Sequence, residues 1–193
     1  GDSGSGKTTA AMQVAELSGL DFEYIAFCDM TQDYQILGHV DINGDFHETP
    51  LTRAFKEGKV LLLDEVDSAN SNTALTLNAI VEQRRMFDIK TGKMIDAHPD
   101  FAVIAAGNTG GSGATNDYSG RNQQDGAFIN RFARLPWGYD EKMERAIVRK
   151  QHENENDDLL AQIMSWVSRV QKIRKSAKLN GSPILVTPRA SIK

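Results

Sequence analysis

The chain has 193 residues, 40% of them hydrophobic and 25% charged, with a net charge of −4. That length supports one α/β domain with a small helical extension, and the acidic balance argues against a protein that coats nucleic acid. A single cysteine, Cys28, excludes a disulfide framework and a cysteine-rich metal site, and no apolar run reaches membrane-spanning length. Cys28 is expected to be a buried residue of a strand, and the default location is cytoplasmic with no membrane partner.

The first residues, Gly1-Asp2-Ser3-Gly4-Ser5-Gly6-Lys7-Thr8, follow the pattern G-x-x-x-x-G-K-[ST]. Glycines let the backbone turn its N–H groups inward, and the next helix adds its N-terminus to that cradle for anionic oxygens. Lys7 supplies a charge to the β- and γ-phosphates, and Thr8 offers a hydroxyl to Mg²⁺. Gly1, Asp2, Ser3, Gly4, Ser5, Gly6, Lys7, Thr8 and Thr9 are the expected ATP-binding residues. Such a loop ordinarily follows a buried strand, and nothing precedes Gly1, so the sequence reads as a piece whose first central strand is missing.

A helix is predicted from Thr8 to Leu17, with Ala10, Ala11, Val14 and Leu17 on one side and Gly19 as its stop. Asp21 to Cys28 reads as a strand, and Thr31 to Leu37 as a short helix capped by Asp29 or Thr31. Asn43-Gly44, flanked by alternating residues, signals a hairpin over His39–Glu48. A two-residue turn would pair Val40 with His47 and His39 with Glu48. The two imidazoles would then face opposite sides, which argues against a metal site.

Pro50 opens a helix that Gly58 ends. Val60-Leu61-Leu62-Leu63 is apolar on both faces, as in a central parallel strand, and runs into Asp64-Glu65. Ligand chemistry in such sheets sits at the carboxyl ends of the strands. There Asp64 can hold Mg²⁺ and Glu65 can polarise an attacking water. Ser71 to Arg85 reads as a helix with Leu75, Leu77, Ile80 and Val81 as its apolar positions. A second hairpin folds around Thr91-Gly92-Lys93.

Asp100 to Ala106 reads as another buried strand, ending in Gly107-Asn108-Thr109, where Asn108 could orient the water or touch the γ-phosphate. A long Gly/Asn/Ser loop covers 110–125. A helix is predicted from Asp125 to Arg134, with a boundary at Pro136 and Gly138. Beyond it, Glu141–His152 and Leu159–Ala177 are helical, joined by a solvated acidic connection, and Pro188 starts one more helix.

This ordered set resembles the AAA+ ATPases, and within them the branch of MoxR-type, cobalt-chelatase-subunit and dynein-related ATPases. Gly1–Thr8 and Asp64-Glu65 match Walker A and Walker B. Asn108 sits where the family has its sensor-1 residue. Asn130-Arg131-Phe132 resembles the arginine-finger segment, with Arg134 as the alternative. Thr187-Pro188-Arg189-Ala190 resembles the sensor-2 segment. The hairpins at His39–Glu48 and Met86–Ile95 resemble the inserts of this branch.

The resemblance implies a P-loop α/β sandwich of three αβα layers with a parallel central sheet. The nucleotide-binding core would span 1–137, and a helical lid would begin over 138–193. It implies ATP and Mg²⁺ as cofactors and catalysis by Glu65, Asn108, Arg131 and Lys7. Thr8 and Asp64 would hold the metal, and Arg189 would sense the γ-phosphate. It further implies self-association into a ring, expected to be a hexamer, that remodels a protein client or a protein–metal assembly. A DNA-directed helicase loader or motor, a monomeric P-loop kinase and a non-hydrolysing binding module are the competing readings. The acidic balance counts against the first, Arg131 and Arg189 against the second, and Glu65 against the third.

Overall fold

The computed structural model describes residues 2–109, 113, 122, 126–179 and 187–188. Its contacts divide the chain into two compact units, Gly6–Leu135 on one hand and Gly1–Ser5 with Pro136–Lys193 on the other.

The larger unit is built on three parallel strands, β1 (Phe22–Ala26), β4 (Val60–Asp64) and β7 (Ala102–Ala105), in the order β1-β4-β7. Between β1 and β4 lie α2 (Asp33–Leu37), the two-residue strands β2 (His39–Val40) and β3 (Phe46–His47), and α3 (Pro50–Glu57). Between β4 and β7 lie α4 (Ser71–Gln83) and the hairpin strands β5 (Arg85–Asp88) and β6 (Lys93–Asp96). Helix α1 (Lys7–Leu17) precedes the sheet and α5 (Gly126–Ile129) follows it.

The apolar run explains why β4 is central. Leu61 and Leu63 turn to one face, into the cluster of Leu51, Phe55, Leu77 and Ile80 from α3 and α4. Leu62 turns to the other, against Ala11 of α1 and Ala106. All three leucines have no exposed surface, and each such burial contributes roughly 1.5–3 kcal/mol. The sheet thus carries helices on both faces, the expected α/β arrangement. Parallel pairing aligns Ala26, Asp64 and the end of β7 at one edge.

Local chemistry sets the element ends. In α3, the Thr49 side chain accepts the Thr52 N–H, Pro50 occupies the first turn, and Gly58 closes the helix at φ 78°. Helix α1 buries Ala11 and Ala15, four residues apart, so the small side chains face inward. Val14 and Leu17, predicted on one side with Ala10 and Ala11, are 49% and 89% exposed. In α4 the inner face is Thr73, Ala74, Leu77 and Ile80, and Leu75 points outward. Helix α2 starts later than predicted, with Gln32 and Gln35 forming its capping box in place of Asp29 or Thr31. Strand β1 stops at Ala26, which leaves Cys28 past its end and exposed, contrary to expectation.

The first hairpin corrects the predicted register. His39 pairs with His47 and Val40 with Phe46. Asp41 closes a longer loop, its Oδ1 accepting the N–H groups of Asn43 and Asp45 at 2.9 and 3.0 Å. The added residues shift the pairing, so the imidazoles share one face and stack with ring centroids 5.0 Å apart. Asp41 Oδ2 lies 3.0 Å from His47 Nε2, and that contact, foremost, draws the Asp41 carboxyl down to about 2. Among the described residues, no three His, Cys, Asp or Glu side chains gather as a metal site.

Helix α5 is shorter than the predicted Asp125–Arg134 segment, although Phe128 and Phe132 still meet edge to face at 5.4 Å. Of the predicted 110–125 loop, only residues 113 and 122 are described.

The smaller unit contains α6 (Glu141–Gln151) and α7 (Asp157–Leu179). Asp140 caps α6 by accepting the N–H groups of Lys142 and Met143. Helix α7 begins two residues before the predicted Leu159, placing Asp157 and Asp158 in its first turn, where the helix dipole favours anions. Glu144 and Arg174 form a buried pair between α6 and α7. The helix predicted from Pro188 falls, beyond Pro188 itself, outside the described residues. No helix among the described residues is long and apolar enough to cross a membrane.

Candidate active site

The site lies at the carboxyl edge of the sheet. Gly6 caps α1 in the left-handed region at φ 84°, and a β-carbon built there would meet no atom within 4 Å. Backbone conformation, not crowding, therefore requires glycine, and the space over the helix N-terminus stays open. That N-terminus aims its N–H groups outward and projects Lys7 and Thr8 toward the strand ends.

Lys7 Nζ donates to Asn108 Oδ1 at 2.9 Å. The amide nitrogen of Asn108 lies 3.4 Å from both carboxylate oxygens of Glu65, at the long limit of a hydrogen bond. Thr8 Oγ1 donates to Asp64 Oδ2 at 3.0 Å, while Asp64 Oδ1 accepts the Glu65 N–H at 2.9 Å. All five residues are half-buried. The structure thus gathers Lys7, Thr8, Asp64, Glu65 and Asn108 from three separate segments.

Glu65 stands in the left-handed region at φ 56°, rare for a residue with a side chain. Such a conformation costs of order 1–3 kcal/mol and persists only where the surroundings hold it. Here the Asp64 carboxylate takes the Glu65 N–H, and the Glu65 carbonyl accepts the Ser68 N–H at 2.7 Å. On β1, the Tyr24 phenol is pushed upward, by burial first and then by the negative charges of Asp64 and Glu65. The acid pair therefore presents a negative potential at this edge.

The donor set suits Mg²⁺. Thr8 and Asp64 offer hard oxygens close together, and Mg²⁺ in nucleotide sites takes one or two such ligands plus phosphates and water. When bound, the ion would supply charge neutralisation across the phosphate oxygens.

The remaining predicted residues stand as follows. Asp2, Ser3, Gly4 and Ser5 group with the smaller unit. There Ser5 Oγ donates to Asp2 O at 2.7 Å, Tyr139 Oη to Ser3 O at 2.8 Å, and Trp137 Nε1 to Ser5 O at 2.9 Å. Thr9 is exposed on α1. Arg131 donates to Ala127 O at 2.6 Å and pairs with Glu82 of α4. Arg134 is exposed. Gly1 and Arg189 fall outside the described residues.

Sequence reasoning missed Asp67 and Thr109. Asp67 is 1% exposed, and its Oδ2 accepts the N–H groups of Asn108 and Thr109 and the Thr109 hydroxyl at 2.8, 2.8 and 2.9 Å. The signal was a third acid two residues after Glu65.

An uncharacterized protein of Staphylococcus epidermidis is 28% identical over 193 residues, covering 93% of this chain and 70% of its own length. A Staphylococcus aureus relative is likewise 28% identical, over 191 residues. Among solved structures, NtrX from Brucella abortus matches 97% of this chain with a TM-score of 0.59 at 14% identity. A P216G mutant of RuvB from Thermotoga maritima matches 92% with a TM-score of 0.59 at 18% identity. The chain spans about half the length of these two, 48% and 55% respectively, and the likeness is one of fold. The family model of the AAA domain, dynein-related subfamily, matches residues 1–132, and the chain belongs to that family.

Proposed function

We propose that this chain binds and hydrolyses ATP as the motor core of an AAA+ assembly, a ring of six copies that remodels a protein client or a protein–metal assembly. The observation that carries the reading is the convergence of Lys7, Asn108 and Glu65 beside the Thr8–Asp64 pair. Lys7 and the loop from Gly1 to Thr8 hold the triphosphate, and Thr8 with Asp64 holds Mg²⁺. Glu65 accepts a proton from the water that attacks the γ-phosphorus. The bond to the β-phosphate oxygen breaks and ADP leaves. Asn108, fixed between Lys7 and Glu65, orients that water or the γ-phosphate.

Charge developing on the γ-phosphoryl group calls for a further cation, and Arg131 of a neighbouring copy supplies it. Arg189 on the lid reads the γ-phosphate and converts its loss into lid movement. Two antiparallel hairpins, β2–β3 ahead of β4 and β5–β6 ahead of β7, support placement in the branch with the MoxR-type and cobalt-chelatase-subunit ATPases. In this reading they are the client-facing elements.

The test is the ATP turnover per chain, measured by phosphate release with Mg²⁺ across a wide range of protein concentration. A rate per chain that rises with concentration and then levels off is expected. A constant rate would instead mark a monomeric enzyme, and no turnover with intact binding would mark a module that only holds nucleotide.

A further inference from the structure

Asp67 stands apart from the residues already assigned. It sits in the 3₁₀ turn Val66–Ser68 that follows Glu65, and its side chain is turned into the protein. A carboxylate only accepts hydrogen bonds, and here one oxygen collects two backbone N–H groups and a hydroxyl from consecutive residues, Asn108 and Thr109. Bonds to an ionised acceptor are the stronger kind, and burial strengthens them further. The turn is also tied to the residue that follows β7, with Val66 N–H donating to Ala106 O at 3.0 Å. Gly107 completes the fit. A β-carbon there would sit 3.2 Å from Asp67 Cγ and 3.3 Å from its Oδ1, so only glycine admits so close an approach without a shift.

The consequence falls on Asn108. Its backbone N–H is held at 2.8 Å from Asp67, and its side chain meets Lys7 on one side and Glu65 on the other. An asparagine after a strand end would otherwise sample several backbone conformations, most of which take its amide away from both partners.

We infer that Asp67 is a positioning residue for ATP hydrolysis: by clamping the backbone at Asn108 and Thr109, it sets the amide of Asn108 between Lys7 and Glu65. It touches no phosphate and acts through Asn108. The inference rests on the ATPase reading for its kinetic part, and on the hydrogen bonds alone for its structural part.

Backbone amide exchange by NMR, on the full chain, tests the structural part. In Asp67→Ala the amides of Asn108 and Thr109 should exchange about 100-fold faster, while those of Leu62 and Ile104 in the sheet stay protected. Steady-state kinetics test the rest. Asp67→Ala should lower kcat by about tenfold or more with KM changed less than about threefold, because misplacing a catalytic group by about 1 Å costs rate rather than binding. In an Asn108→Ala background the same substitution should cost nothing further, since its whole effect passes through that amide. Asp67→Asn keeps an acceptor oxygen but loses its charge, so it should show both losses in weaker form, and it carries the comparison if Asp67→Ala fails to fold.

The inference is overturned if the amides at 108 and 109 stay protected without Asp67, or if Asp67→Ala slows the Asn108→Ala variant by the same factor as the parent. A parent chain without ATP turnover would remove the proposed function, and the exchange data alone would then decide whether Asp67 sets Asn108.

Discussion

Lys7 and Asn108 are 101 residues apart in sequence and 2.9 Å apart in space, and the same Asn108 faces both carboxylate oxygens of Glu65. One amide therefore spans the cation at the start of α1 and the acid that follows β4. The two ends of this bridge should fail differently. Glu65→Gln keeps the bridge but removes the proton acceptor, so ATP binding should persist while turnover falls by about 10²–10⁴-fold. Asn108→Ala also releases Lys7, so it should lower turnover and shift the preference between ATP and ADP. Fluorescent-nucleotide titration beside phosphate release separates the two. Undiminished hydrolysis in Glu65→Gln would discard the role given to that carboxylate.

The parts of this site that were legible in sequence are those written locally. The run Val60–Leu63 declared a strand buried on both faces, and it is one. Pro50 and Gly58 marked a helix that the structure ends with a capping box and a left-handed glycine. What escaped was decided by contacts distant in sequence or by side chains that rewrite a turn. Asp41 accepting from Asn43 and Asp45 lengthened the loop and put His39 opposite His47. Asp67 went unremarked because the residues that bury its carboxylate, Asn108 and Thr109, come about forty residues later. The partner of Arg131, Glu82, lies forty-nine residues upstream, on α4.

Glu23 on β1 gives a pH test of the sheet edge. Arg53 donates to its two oxygens from Nε at 2.8 Å and Nη2 at 3.0 Å, and Lys59 lies 3.6 Å away. The Arg53 hydrogen bonds, foremost, hold the Glu23 carboxyl below the usual carboxylate range. A pKa lowered by folding contributes stability above the unfolded value of about 4.3, and that contribution is lost as pH falls through the folded value. Glu23→Gln should therefore lower Tm at pH 7 by about 2–4 °C. The gap to the parent should close as pH drops below about 4. Thermal unfolding at pH 7, 5, 4 and 3 checks this, and a gap that stayed constant would refute it.

Glu144 and Arg174 pose a stability question in the smaller unit. The carboxylate receives Arg174 Nη1 at 2.9 Å and Nη2 at 2.8 Å and Gln171 Nε2 at 3.0 Å, with side chains only 2% and 7% exposed for the ion pair. The Arg174 guanidinium also lies 4.8 Å from the Tyr139 ring centroid. Removing one buried partner strands the other charge, so Glu144→Ala should cost about 3–5 kcal/mol. Replacing both by methionine should recover much of that, because the desolvation of two charges is removed together. Both tryptophans, Trp137 and Trp166, lie in this unit, so urea unfolding followed by their fluorescence reports on it directly.

Arg131 carries the last prediction, because its present contacts look at first like an argument against its proposed role. It donates to Ala127 O and pairs with Glu82, whose side chain is 56% exposed. An ion pair with so wet a partner is worth about 0–1 kcal/mol. An arginine supplied to a γ-phosphoryl group is worth about 10³–10⁵ in rate. In the transition state that gain exceeds the loss of the Glu82 pair by a wide margin, so the pair is no obstacle to the role. Arg131→Ala should keep ATP binding and lose at least about 10³ in turnover. Mixing it with Lys7→Ala should restore part of the rate, since each chain then lacks a different half of a shared site. Glu82→Ala should retain full turnover at high protein concentration, because its carboxylate holds Arg131 only outside the shared site. An absence of rescue in the mixture would place the effect of Arg131 inside its own chain and end the reading of it as a finger between copies.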